Sequence, residues 1–241
     1  MTRVALCFNG LAGGKNDKGL PVDWQLAVDH FKENIINLQV HEVDVFFHTW
    51  STEAELELVE LYEPKKYMVQ KQIDFDSLAN KFSKNVHSDV PRHFHSIMSR
   101  WYSNDRVLRL KSDYEKEHGF KYDYVMTTRF DLAWETDVNF SSLDNESIYA
   151  GKWSVVVDQN GNDYFKGGRG PIYDMVKRNH PGLSRLTLNT KGYPKNDEGF
   201  LDLWFVANSE NSDSLFSLYL NDWLICSYFI NSSSYYFYSL I

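Results

Sequence analysis

Three apolar runs in this chain each end abruptly in polar residues, and helical stretches separate them. Val4 to Asn9 runs into the glycine-rich loop Gly10 to Gly19. Val43 to Phe47 closes on His48, Thr49 and Trp50. YDYVMTTRFD, from Tyr122 to Asp131, begins apolar and ends charged. Between the first two, Trp24, Ala27, Val28, Phe31, Ile35 and Leu38 fall at helical spacing. Ser51 is placed to cap a second helix, STEAELELVELY, which stops before Pro64. A long, one-sided helical pattern runs from about Arg92 to His118 and ends at Gly119.

Further strands are expected at Tyr67–Gln70, Ile148–Tyr149, Ser154–Val157 and Leu203–Ala207, and helices at Asp74–Phe82 and Asp213–Trp223. Strands alternating with helices imply an α/β fold whose mostly parallel sheet is covered on both faces. In such folds ligands bind outside the carboxyl ends of the strands. The alternation therefore predicts a site on one sheet edge, at Asn9 and Gly10, at His48, Thr49 and Trp50, and at Arg129 and Asp131.

Composition narrows the function. The chain has 241 residues, enough for a sizeable core. Its 25 Lys and Arg against 33 Asp and Glu leave a formal charge of −8, which disfavours broad nucleic-acid binding and attraction to anionic membranes. Two cysteines, Cys7 and Cys226, both in apolar runs, read as buried thiols in a reducing compartment. The first apolar run is too short for a signal-peptide core, and no stretch has the apolar length of a membrane span. A soluble, cytoplasmic protein is expected.

Three segments resemble a known family: DVFFHTW (Asp44 to Trp50), SRWYSNDRVLRLKSDYEKEHGFKYDYVMTTRFDLAW (Ser99 to Trp134) and DLWFVANSENSDSLFSLY (Asp202 to Tyr219). The family comprises bacterial and viral proteins assigned as glycosyltransferases and associated with surface-polysaccharide (lipopolysaccharide or capsule) genes. The resemblance covers most of the chain in order and rough spacing. It implies a GT-A-like fold, that of the nucleotide-diphospho-sugar transferases: a three-layer α/β/α domain over residues 1–241. Residues 1–135 would bind the nucleotide sugar and residues 136–241 would face the acceptor. The implied partners are a nucleotide-diphospho-sugar donor and a glycan acceptor. The implied cofactor is Mn²⁺ or Mg²⁺, held by Asp131 as the last residue of an Asp-x-Asp-like motif whose first position is Arg129. Three positions depart from the family pattern. The first loop lacks the arginine of a Gly-Gln-x-Arg type sequence, Thr127 stands where a further arginine is common, and Phe205 leads into Val206-Ala207-Asn208-Ser209 in place of Phe-Gly-Ser-Ser.

A departing diphosphate needs its charge stabilised by metal, Arg or Lys. Arg129 and Asp131, two apart on a strand, share a side; that spacing fits a diphosphate site and equally an ion pair with each other. His48 is a candidate donor contact or a hydrogen-bonded structural residue. Arg106 and Arg109 share a helix face, and Arg106 is the candidate diphosphate contact against the default of a solvated face. Asp202, with Glu198 and Asp197 behind it, matches the family's late Asp and is the candidate general base for the acceptor hydroxyl. Lys166-Gly167-Gly168-Arg169-Gly170 lacks the spacing of a phosphate-loop motif. His87, His93 and His95 lack the Cys or acidic partner of a zinc pattern. Two other readings stay open: a non-catalytic carbohydrate- or protein-binding module on the same fold, and a sugar-phosphate nucleotidyltransferase.

Overall fold

Strand β1 (Thr2–Gly10) is apolar on both faces, as a central parallel strand must be, and it lies between two neighbours. In the computed structural model, which describes residues 1–13, 24–75, 90–134, 136–152 and 200–214, it pairs in parallel with β2 (His41–Thr49) and with β4 (Tyr124–Arg129). β3 (Lys66–Val69) adds in parallel to β2. β6 (Phe200–Ala207) runs antiparallel to β4, and β5 (Tyr149–Lys152) lies beyond it. The fold is mixed α/β, with a six-stranded, mostly parallel sheet of order β3-β2-β1-β4-β6-β5. The antiparallel direction of β6 is new information, because an apolar run carries no sign of its direction.

Alternation along β1 divides two cores. Val4, Leu6 and Phe8 pack with α1 (Gln25–Phe31), the π-helical turn Lys32–Ile36 that continues it, and α2 (Glu55–Tyr62). Phe8 is the hub: its ring centroid lies 4.7 Å from those of Phe31 and Tyr62, and 4.9 Å from that of Phe130. Ala5 and Cys7 point the other way, into a core with Phe46, Val107, Leu108, Tyr122 and Val125. Small residues there let α3 (Val90–His118) sit close to the strand. α3 ends where foreseen, with Gly119 at φ +69°, a conformation glycine adopts without a Cβ penalty.

Most of the described chain forms one compact unit, Met1–Ala150 with Asp202–Ser233. The second unit, Gly151–Leu201 with Ser234–Ile241, lies almost wholly outside the described residues. No helix among the described residues is long and apolar enough to cross a membrane.

Two local expectations change. Ser51 makes no side-chain cap to the short 3₁₀ turn Thr52–Ala54 that precedes α2. Its hydroxyl instead accepts the Ala12 and Gly13 N–H groups at 3.1 and 2.9 Å, which ties the loop after β1 to the end of β2. Asp74 and Phe75 are not helical; the rest of the helix expected at 74–82 lies outside the described residues. So do the strand expected at Ser154–Val157, the glycine loop at 161–170, and most of the helix expected at 213–223, whose described start is a helical turn over residues 209–214.

Candidate functional site

The sheet order contains a topological switch. From β1 the chain moves through β2 to β3 on one side, then returns to place β4 on the other. The connections after β1 and before β4 therefore cover opposite faces, the topology that in α/β sheets favours a ligand site at the carboxyl ends of the two strands. Asn9, the next-to-last residue of β1, pairs in register with His48 on one side and with Arg129 on the other. By strand alternation this polar row lies on the α3 face, one step beyond the buried row Phe46–Cys7–Thr127. The structure thus brings Asn9, Gly10, His48, Thr49 and Arg129 to one edge, as the apolar-run endings predict.

β6 reaches the same edge from the opposite direction. Its ladder with β4 runs from Val125↔Ala207 to Thr128↔Trp204. The backbone just before Trp204, Asp202 included, therefore continues past the carboxyl end of β4. Asp197 and Glu198 lie outside the described residues.

A residue absent from the sequence reading organises the edge. Ser103, fully buried in the middle of α3, accepts the Gly10 N–H at 2.8 Å and lies 2.7 Å from His48 Nδ1. Gly10 has φ +95°, so the strand turns sharply where Ser103 grips it. The signal for Ser103 is weak in sequence: a small polar residue on a helix face that otherwise reads as core.

Aromatic groups flank His48. Its ring meets Trp50 edge-on at 4.6 Å, and Trp50 stacks on Tyr102 at 5.4 Å. The Arg106 guanidinium sits 4.7 Å from the Tyr102 ring centre, in cation–π geometry. Among the described residues Arg106 Nε has a long 3.6 Å ion contact, to Asp105, and no hydrogen bond. Asp105 is instead held by Arg109, whose Nε donates to both carboxylate oxygens at 3.0 and 2.9 Å. The two arginines of the shared helix face therefore differ: Arg109 is committed to its own helix, while Arg106 stands over the site.

His48 is held well below its ordinary value, at about 4. Burial is the main cause, reinforced by Arg106 and partly offset by the Gln70 amide. It is neutral near pH 7. Several buried polar atoms here have no hydrogen-bond partner among the described residues: His48 Nε2, Asn9 Oδ1, Trp50 Nε1, Asn104 Oδ1 and Thr128 Oγ1. Folded proteins rarely leave such atoms unmatched, so each is a point where water or ligand would complete the bonding; other unmatched atoms lie elsewhere in the fold, at His41, Tyr62, Thr127 and Trp134. Thr49 is different. Its Oγ1 accepts the Ser51 N–H at 3.1 Å and its carbonyl accepts the Gln70 N–H at 3.1 Å, so it shapes the turn.

Arg129 and Asp131 choose each other. Arg129 Nε donates to Asp131 Oδ1 at 2.7 Å and its second nitrogen donates to Oδ2, a forked pair that occupies both carboxylate oxygens. Of the two arrangements that the spacing allows, the structure holds the ion pair. Among the described residues no group of three His, Cys, Asp or Glu side chains is arranged to hold a metal ion. The described carboxylate at this strand end, Asp131, is held by Arg129.

No protein-family profile matches the chain, and no curated protein sequence matches it. Among solved structures, the apo form of mouse xyloside xylosyltransferase 1 is similar at a TM-score of 0.39 and 12% identity, over 91% of this chain and 70% of that one. At that distance the likeness does not bear on the chemistry.

Proposed function

We propose that this protein is a glycosyltransferase of GT-A-like architecture. It binds a nucleotide-diphospho-sugar at the carboxyl edge of β1, β2 and β4 and passes the sugar to a hydroxyl of a glycan acceptor. The observation that carries this reading is the register row His48–Asn9–Arg129 at the switch between β1 and β4, with unmatched polar atoms on it. The resemblance supplies the class of ligand, and with it the expectation of a cytoplasmic role in polysaccharide assembly. In this reading residues 1–135 serve the donor and residues 136–241 the acceptor.

Arg106 is the cation for the diphosphate, with Arg129 joining it when its fork opens towards phosphate. Asp202 is the base that takes the proton from the acceptor hydroxyl, supported by Glu198 and Asp197. Mn²⁺ or Mg²⁺ would add charge stabilisation at the diphosphate, with Asp131 as its carboxylate.

The test is thermal unfolding of the full chain with nucleoside diphosphates and nucleotide sugars, with and without Mn²⁺. A ligand at a hundred times its Kd stabilises by about 2.7 kcal/mol, a readily measured rise in Tm. One base class should give that rise, and Arg106→Ala should weaken it at least about tenfold in ligand concentration. No rise with any nucleotide sinks the reading. Asp202→Asn should keep the rise and lose sugar transfer; full transfer in that variant removes Asp202 from its role. The Arg129–Asp131 fork favours one further reading, a module on the same fold that binds without transfer. A Tm rise with no turnover of any donor would select it.

A further inference from the structure

Ser103 Oγ has one hydrogen and two lone pairs. The Gly10 N–H occupies one lone pair at 2.8 Å. The hydrogen then has two acceptors in reach: His48 Nδ1 at 2.7 Å and the His48 carbonyl at 3.5 Å. The shorter contact is the better bond. A neutral imidazole that accepts at Nδ1 carries its proton on Nε2. That nitrogen has no partner among the described residues. The Gln70 side chain interacts with the ring in a way that favours its charged form, at a geometry short of a full hydrogen bond to Nε2. Beside it in register, Asn9 gives its Nδ2 to the Thr128 carbonyl at 2.9 Å, which leaves Oδ1 as an open acceptor.

We propose that Ser103 is the positioning residue of the site: its hydroxyl locks His48 in the Nε2–H tautomer and pins the turn at Gly10, so that His48 Nε2–H and Asn9 Oδ1 present a neutral donor and acceptor side by side. Such a pair matches an uncharged group that both accepts and donates, and it disfavours phosphate, which the Asn9 oxygen would repel. Charge recognition then falls to Arg106, and the two halves of the edge read different parts of one ligand. The ligand half of this inference rests on the nucleotide-sugar reading above; the tautomer half does not.

The experiment uses the ¹⁵N-labelled full chain and two-bond ¹H–¹⁵N correlation of the histidine rings at pH 7, with His48 assigned by its loss in His48→Gln. The expected pattern is a protonated Nε2 and a bare Nδ1. Ser103→Ala should convert this to a mixture or to the other tautomer, while Ser103→Thr keeps it. The same variants are then titrated with the nucleoside diphosphate that raises Tm most. Ser103→Ala should bind at least about tenfold more weakly, the loss of roughly one hydrogen-bonded contact, and Ser103→Thr should bind as the parent does. A parent protein showing Nδ1–H or a charged ring overturns the proposal without any variant. So does a Ser103→Ala protein that keeps the parent pattern. Absence of nucleotide binding in the parent would count against the proposed function, and the ring spectra would still decide what Ser103 does.

Discussion

Ser103 and Lys111 lie about two turns apart on α3, and both bring polar atoms into buried surroundings. Around Lys111 everything is matched. Its Nζ is fully buried and donates to Glu115 Oε2 at 3.2 Å, Ser209 Oγ at 2.8 Å and Asp213 Oδ1 at 2.8 Å. Glu115 in turn accepts from Ser209, from Lys121 and from the Tyr122 N–H. Burial alone would raise the Glu115 carboxyl, but those donors and Lys111 together hold it below its ordinary value. Around Ser103 the bonds stop short, and a ring nitrogen, an amide oxygen and an indole N–H remain open. The closed cluster fastens the turn at residues 209–214 to the helix. The open one leaves hydrogen-bonding capacity unused among the described residues, the difference expected between the proposed binding edge and a structural joint.

Breaking the closed cluster should have the largest effect. Lys111→Ala leaves Glu115, 1% exposed, without its buried cation, and should lower stability by about 3–5 kcal/mol in urea unfolding. A loss under about 1 kcal/mol would mean that Lys121 and solvent already satisfy the carboxylate.

The next effect comes from pH and belongs to the open cluster. His48 is depressed in the folded chain, so the unfolded chain takes up its proton first. The stability from keeping it neutral is present above about 6.5 and is lost as pH falls towards about 4. The full span is up to ~3 kcal/mol. Unfolding free energies at pH 7 and pH 4.5 should therefore diverge less in His48→Gln than in the parent. Equal divergence in the two proteins would place the titration elsewhere.

The smallest change in stability sharpens the contrast most. Asn9→Leu loses one hydrogen bond but removes an unmatched acceptor, and should shift stability by less than about 1 kcal/mol in either direction. Nucleotide binding should nonetheless fall. A large loss of stability would show that Asn9 belongs with the structural joints.

Much of the edge was legible because a buried parallel strand must be apolar until it reaches its end. Asn9, His48 and Arg129 interrupt such runs, so their common edge was legible from pattern, whereas the register that sets them in one row is a finding of the structure. Ser103 and Lys111 were not legible. Each lies on a helix whose neighbours are set by tertiary packing, and a lysine on an amphipathic helix ordinarily reads as solvated. The period of the strand put Arg129 and Asp131 on one side but said nothing about whether they would meet a ligand or one another. Ser51 had the right residue type for a cap, yet two loop N–H groups competed for its oxygen and took it.

Cys7 turns the sheet's centre into a clock. Its thiol is completely enclosed between β2 and β4, and burial pushes it far above the ordinary thiol range, so the reactive thiolate is withheld. An alkylating reagent can reach it only when the central strand parts from a neighbour or from α3. In a Cys226→Ser background, the rate of labelling at Cys7 would count those openings one by one, and so time the deepest breathing of the fold without any probe being added to it.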